Sequence, residues 1–165
     1  MKKSIIIYFS RADENYSVGF IEKGNTEVIA GYIKDITGAD IFKVEPANRY
    51  SKDYQRAIKE AKMRQENHNA PILRELPDLS IYDVIYLGTP VYWGVMPEEL
   101  VTALKGRDYT NKIIRLFVTH EGSGLASIPS QVKDICVGAN VLDDGLAIVG
   151  STVNSSRVKV EDWIK

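Results

Sequence analysis

Residues 4–10 read SIIIYFS, a short run in which every position between the two serines is apolar. Three consecutive isoleucines favour an extended strand, because β-branched side chains are restricted in a helix and pack well on a pleated sheet. A run without polar alternation is typical of a strand that is buried on both faces, as in a parallel sheet covered by helices. This stretch therefore predicts a central strand of an α/β fold.

The rest of the chain alternates between helical and extended patterns. A helical spacing of apolar residues begins at Asn25, where Asn25 or Thr26 can cap the helix, and Gly38 ends it. Strands are also predicted at residues 40–45, 81–89, 112–119 and 141–149, and helices at 54–66, 97–104, 127–135 and 158–164. This alternation predicts a doubly wound parallel sheet of five strands with helices on both faces. Because no repeat or linker interrupts it, we expect one domain over residues 1–165.

The composition excludes several classes of partner. The 165 residues carry 21 basic and 22 acidic side chains, and the resulting net charge of -1 argues against nucleic acid as the main partner. Two histidines and one cysteine, Cys136, cannot form a zinc cluster or an internal disulfide, and we expect Cys136 to be buried. The N-terminal apolar run is too short for a secretion signal, and no stretch approaches the roughly 18 apolar residues of a membrane span. We therefore predict a cytoplasmic protein without a membrane partner.

Ligands of parallel sheets bind beyond the carboxyl ends of the strands, so the loops there are candidate sites. After the first strand come Ser10 and Arg11, and then Gly24, Asn25 and Thr26 open the first helix. Backbone N–H groups at a helix N-terminus bind phosphate, and a guanidinium can add a bidentate contact. Two interpretations stay open: these residues bind an anion, or they only cap the helix and leave Arg11 in solvent.

The loop after the third strand carries two adjacent aromatic residues. Both cannot easily enter the core, so at least one should be exposed or covered by a planar ligand, and the alternative is that Trp93 packs on a neighbouring loop. The residues of this loop are Thr89, Pro90, Val91, Tyr92, Trp93 and Gly94.

The loop after the fourth strand reads His120, Glu121, Gly122, Ser123, Gly124. Its glycines allow the backbone to approach a ligand and to donate N–H groups, whereas His120 is interpreted as a hydrogen-bonding residue of the loop rather than a base. Glu121 either lies beside a ligand, whose reduction it would disfavour, or is solvated. A dinucleotide fingerprint beginning at Gly122 fails because its third glycine is replaced by Ser127.

Together the loops offer phosphate contacts, an aromatic face and close backbone, which suit flavin mononucleotide (FMN). On these residues the chain resembles the flavodoxin-like family over essentially its whole length. The resemblance implies the sheet order 2-1-3-4-5, with the FMN phosphate in the first loop and the isoalloxazine ring between the other two. The chain departs from the family in the excursion ADENYSVGFIEK between Arg11 and Gly24, where the phosphate loop is usually contiguous.

The resemblance implies an FMN-binding electron carrier that docks on a reductase and an acceptor protein, with no catalytic acid or base. Carriers of this family are usually strongly acidic, whereas this chain is nearly neutral. We therefore keep open an NAD(P)H-dependent FMN/quinone oxidoreductase that uses a small-molecule acceptor, and a flavin-bound regulatory module.

Overall fold

The structure, a computed structural model, describes residues 2–165. Its strands are β1 (Ser4–Tyr8), β2 (Asp13–Asn15), β3 (Gly19–Ile21), β4 (Asp40–Lys43), β5 (Val84–Pro90), β6 (Ile113–His120), β7 (Asn140–Val141) and β8 (Leu146–Val149). Its helices are α1 (Asn25–Thr37), α2 (Tyr54–Asn67), α3 (Glu98–Leu104), α4 (Ile128–Ile135), a 3-10 helix (Gly150–Ser155) and α5 (Arg157–Ile164). No helix within residues 2–165 is both long and apolar enough to cross a membrane.

The main sheet is parallel and confirms the order 2-1-3-4-5. Strand β1 lies between β4 and β5, and β6 follows β5 on the other side. The fifth position is shared by two short strands, because β7 pairs with the start of β6 and β8 with its end. The prediction of one continuous strand at 141–149 is therefore wrong. The sequence Asp143-Asp144-Gly145 interrupts it, since these residue types favour turns over strands.

Helices cover both faces of the sheet, as predicted. Successive isoleucines of β1 point to opposite sides: Ile5 and Ile7 join the core beneath α3 and α4, whereas Ile6 joins the core beneath α1 and α5. All three are almost completely buried. Cys136 is also buried as expected, and burial raises the pKa of its thiol to about 12. The core thus fixes β1 at the centre, with its carboxyl end opening onto the candidate loops.

The start of α1 is capped differently from the prediction. Asn25 and Thr26 lie inside the helix, Gly24 occupies the N-cap position, and no side chain of the cap makes a hydrogen bond. Instead the hydroxyl of Ser10 accepts the N–H of Glu27 at 3.0 Å. A Cβ atom on Gly24 would collide with this hydroxyl and lie 2.8 Å from the carbonyl oxygen of Arg11, so glycine permits the close approach of the two segments.

The excursion between Arg11 and Gly24 forms an antiparallel hairpin of β2 and β3, which the sequence pattern did not predict. Arg11 ties this hairpin to the start of α2, because its guanidinium donates to the carbonyl oxygens of Glu14, Ser51 (2.7 Å) and Lys52 (3.0 Å). The carboxylate of Glu14 also accepts the N–H of Tyr54 at 2.7 Å. The hairpin is therefore fixed against the rim of the sheet.

Candidate ligand site

A cavity of about 340 Å³ opens at the carboxyl ends of β1, β5 and β6. Its volume lies in the range of small-molecule sites, roughly 300–1,000 Å³. All three candidate loops contribute to its lining, through Ser10, Arg11, Asn25, Thr26, Pro90, Val91, Tyr92, Trp93, His120, Glu121 and Ser123. The fold therefore brings together most of the residues that the sequence singled out.

The remaining candidates do not line the cavity. Thr89 is buried, and its hydroxyl donates to the carbonyl of Pro90. Gly94 lies in a turn, and its carbonyl oxygen accepts the N–H of Ser127 at 3.0 Å. Gly24 is the N-cap of α1. Gly122 and Gly124 are not among the residues that line the cavity.

The N–H groups of Gly122 and Gly124 are used within their own loop. Both donate to Nδ1 of His120, at 2.9 and 3.1 Å. This agrees with the interpretation of His120 as a hydrogen-bonding residue. Gly122 adopts a φ of 132°, which side-chain-bearing residues rarely adopt, so glycine is needed for this turn.

The two aromatic residues of the β5 loop are placed differently. Tyr92 packs edge-on against Phe9, with ring centroids 5.7 Å apart, and joins the core, whereas Trp93 is 52% exposed. The indole N–H of Trp93 donates to the carbonyl of Ile58 at 2.8 Å, and Lys62 lies over the ring at 4.5 Å. Trp93 therefore packs on α2 while still lining the cavity.

Behind Tyr92, a buried polar network supports this loop. Glu99 is completely buried and accepts hydrogen bonds from Arg64 at 2.7 Å and from the hydroxyl of Tyr50 at 2.9 Å. Gln65 donates to the carbonyl of Tyr92 at 2.7 Å. Because these groups come from separate elements, they fix the loop in one position.

Glu121 lies at the end of the cavity near α1. A Cβ atom added to Gly150 would collide with Oε1 of Glu121 and Nδ2 of Asn25, so these groups crowd the same space. Oε1 is buried without a hydrogen-bond partner, and burial raises the pKa of this carboxyl group. Glu121 is therefore not freely solvated, and it lines the cavity in which a ligand would lie.

The terminal guanidinium nitrogens of Arg11 are not free to bind a ligand in the cavity. Its terminal nitrogens already donate to backbone carbonyls, so the predicted bidentate contact with a phosphate is not available in this arrangement. Its Nε is buried and has no hydrogen-bond partner, which leaves one donor unsatisfied at the cavity wall.

One wall of the cavity was missed by the sequence reasoning. Helix α2 presents Ala57 and Ala61, spaced four residues apart and both buried, which could have indicated a face closely packed in an otherwise polar helix. The hairpin adds Tyr16, whose ring lies 5.9 Å from that of Tyr54. The other lining residues, which the sequence did not single out, are Asn15, Tyr54, Ala57, Ile58, Ala61 and Thr119.

These features define a doubly wound α/β protein with an aromatic-walled cavity at the switch point of its sheet, next to a helix N-terminus. Such a site suits a flat ligand with an anionic end, and residues 2–165 hold no cluster of metal ligands. The model of the flavodoxin family matches residues 15–165. The chain belongs to the flavodoxin family.

Solved structures with the same fold share little sequence with this chain. A protein from Bacteroides uniformis is 19% identical, with a TM-score of 0.74 over 99% of this chain and 97% of that one. A flavoprotein from Lactobacillus acidophilus in complex with FMN is 22% identical, with a TM-score of 0.69 over 100% of both chains. A flavodoxin from Fusobacterium nucleatum bound to FMN is 18% identical, with a TM-score of 0.54 over 99% and 95%. A comparison with curated proteins finds no match.

Proposed function

We propose that this protein binds FMN in the cavity and carries electrons between redox partner proteins in the cytoplasm. The observation that carries the proposal is the cavity itself, in which an aromatic wall and the first turn of α1 meet at the ends of three neighbouring strands. Two proteins of the same fold, a flavoprotein and a flavodoxin, were solved with FMN, which supports the choice of ligand.

The phosphate end of the proposed site is the start of α1. The first N–H groups of a helix have no acceptor within the helix, and the helix dipole favours an anion there. Beside these groups lie the hydroxyl of Ser10 and that of Thr26, which is 2.8 Å from the hydroxyl of Thr119. The close approach that Gly24 permits and the unsatisfied Nε of Arg11 both fit an anion bound at this place.

The ring end is the wall formed by Tyr92 and Trp93. Aromatic side chains bind a planar heterocycle by stacking and exclude water from it. The wall is rigid, because Gln65 fixes the backbone of Tyr92 and the carbonyl of Ile58 fixes the indole of Trp93. When bound, FMN supplies the redox chemistry, while these side chains orient its ring and set its surroundings.

The second candidate function is an NAD(P)H-dependent oxidoreductase with a small-molecule acceptor such as a quinone. The near-neutral charge favours it, and Tyr16 of the hairpin, 60% exposed at the cavity rim, offers a surface for a planar substrate. In the carrier, a reductase protein is needed to deliver electrons; in the oxidoreductase, NAD(P)H alone suffices.

The test is to reduce the FMN-loaded protein anaerobically. The loss of flavin absorbance measures the rate of reduction. For the carrier we expect slow bleaching with NADH or NADPH alone, and fast bleaching after a catalytic amount of a flavin-containing NADPH reductase is added. Fast bleaching by the nicotinamide cofactor alone, followed by turnover of a soluble quinone, would instead establish the oxidoreductase.

A further inference from the structure

Within residues 2–165, His120 is the only side chain that hydrogen-bonds to the backbone of the glycine turn after β6. Its Nδ1 accepts the N–H groups of Gly122 and Gly124 together, at 2.9 and 3.1 Å. The same turn places Glu121 and Ser123 along the cavity. One ring nitrogen therefore holds the turn that carries these two lining residues.

We propose that His120 is a positioning residue for the FMN-binding loop, which it holds only while its imidazole is neutral, so that FMN affinity falls when His120 is protonated. This inference rests on the proposed function for its FMN readout, whereas the conformation of the loop can be tested without FMN.

The chemistry follows from the hydrogen-bonding capacity of imidazole. A neutral ring carries its proton on one nitrogen and accepts at the other, so acceptance at Nδ1 places the proton on Nε2. An imidazolium carries protons on both nitrogens and accepts at neither. Protonation would therefore place an N–H at Nδ1, facing the N–H groups of Gly122 and Gly124. Because donors cannot bond to a donor, both hydrogen bonds would be lost.

The surroundings of His120 favour the neutral ring. Burial, and then the charge of Lys159 on α5, lower the pKa of His120 below its usual value of 6.5. The acidic group nearest in the chain is Glu121, whose pKa burial raises, and strand β8 pairs with His120 through the uncharged Val149. Because the pKa of His120 is lowered, the loop is fully held above pH 6.5 and is released as the pH falls through the lower value.

The experiment compares FMN dissociation constants at neutral pH and at about pH 5, a range in which histidine is the side chain that ordinarily titrates. Loss of two hydrogen bonds should weaken wild-type binding by about tenfold to a hundredfold at the acidic end. In His120→Asn, the amide oxygen can accept in place of Nδ1 and does not titrate, so its affinity should be close to that of the wild type at neutral pH. Towards pH 5 it should show only the change that protonation of the FMN phosphate, whose second pKa is about 6, brings to every variant. His120→Ala should bind weakly at every pH.

The chain offers a matched control, because it contains only two histidines. His68 lies at the end of α2 with an 82% exposed side chain, so His68→Asn should keep the full pH dependence. Glu121→Gln removes the other titrating group of the loop and should also keep the acidic fall. The proposal is overturned if the affinity of His120→Asn falls towards pH 5 as steeply as that of the wild type, or if Glu121→Gln abolishes the wild-type fall.

A second readout separates this proposal from the failure of FMN binding. In His68→Asn without FMN, the ring of His120 is the only histidine signal, and the amide resonances of Gly122 and Gly124 should shift with its titration. If the protein binds no FMN but these amides follow His120, the proposed function fails and the positioning role stands. If the amide resonances of Gly122 and Gly124 do not shift as His120 titrates, the positioning role is contradicted.

Discussion

The indole of Trp93 has two partners on α2, which hold it in place on the cavity wall. Its N–H is bound to the carbonyl of Ile58, and Lys62 covers the ring from outside. A ring held in this way loses little conformational entropy when a planar ligand stacks on it. At the scale of single residues, Trp93 is therefore the side chain with which flavin binding is most directly measured.

The first prediction concerns this side chain. We expect Trp93→Ala to weaken FMN binding by about tenfold, because one stacking partner is worth about 1–3 kcal/mol. Isothermal titration measures the change. The chain has one other tryptophan, Trp163, which lies on α5 and donates to Asp144 instead of lining the cavity. Trp163→Phe should bind FMN with the affinity of the wild type. In this variant all tryptophan fluorescence comes from Trp93, and bound FMN should quench it. Equal affinities for Trp93→Ala and the wild type would refute the stacking role.

The second prediction concerns the buried carboxylate of Glu99. Removing one member of a buried ion pair leaves the other charge uncompensated, at a cost of about 3–5 kcal/mol. We expect Glu99→Gln to lower the free energy of unfolding by this amount in urea, because Arg64 is only 15% exposed. Glu66→Gln is the control, since its carboxylate is 65% exposed, and it should change stability by less than about 0.5 kcal/mol. Similar losses in both variants would mean that the network behind Tyr92 contributes no special stability.

At the scale of elements, the hairpin of β2 and β3 depends on contacts distant in sequence. The residues joined by the bond from Arg11 to the carbonyl of Ser51 are 40 positions apart. A two-stranded hairpin is marginal by itself in water, so these contacts fix its position. This explains why ADENYSVGFIEK shows no clear strand pattern.

The third prediction follows from that dependence. In Arg11→Ala, amide hydrogen exchange of residues 13–21 should become faster by at least tenfold, because three carbonyl contacts are lost. Exchange in the central strand β1 should not change. Lys52→Ala is the control, since Arg11 contacts only the backbone carbonyl of Lys52, and it should leave hairpin exchange unaltered. Unchanged protection in Arg11→Ala would show that the hairpin is held by other contacts.

The elements that were predicted and those that were missed differ in what specifies them. Strand β1 and helix α1 have local signals, namely a continuous apolar run and a helical spacing that ends at Gly38. The break between β7 and β8 and the wall formed by α2 depend on which segments meet in space. The sequence therefore predicted the sheet and the three loops, but neither the wall formed by α2 nor the use of the glycine amides by His120.

At the scale of the whole molecule, we expect buried tyrosines to limit stability in alkali. Burial raises the pKa of Tyr50, Tyr92 and Tyr109 above the usual 10.0. Groups with a raised pKa stabilise the fold fully below the pKa of the unfolded chain, and this contribution is lost as the pH rises beyond it. The free energy of unfolding should therefore fall above pH 10.0, because these three tyrosines ionise easily there only in the unfolded chain.

The fourth prediction is that these tyrosines ionise together with unfolding. Tyrosinate absorbance and far-ultraviolet circular dichroism should be followed in one alkaline titration. We expect the last phase of tyrosinate formation to coincide with the loss of helical signal. Complete ionisation while the helical signal is intact would contradict the burial of these hydroxyl groups.

The cavity is proposed to bind FMN with its phosphate at the start of α1 and its ring on the aromatic wall. The most direct measurement is a titration of the purified protein with FMN and, in parallel, with riboflavin, which lacks the phosphate. We predict one FMN per chain, quenched flavin fluorescence, and clearly weaker binding of riboflavin. A protein that leaves the fluorescence of FMN unchanged, or that binds both flavins equally, would contradict this account.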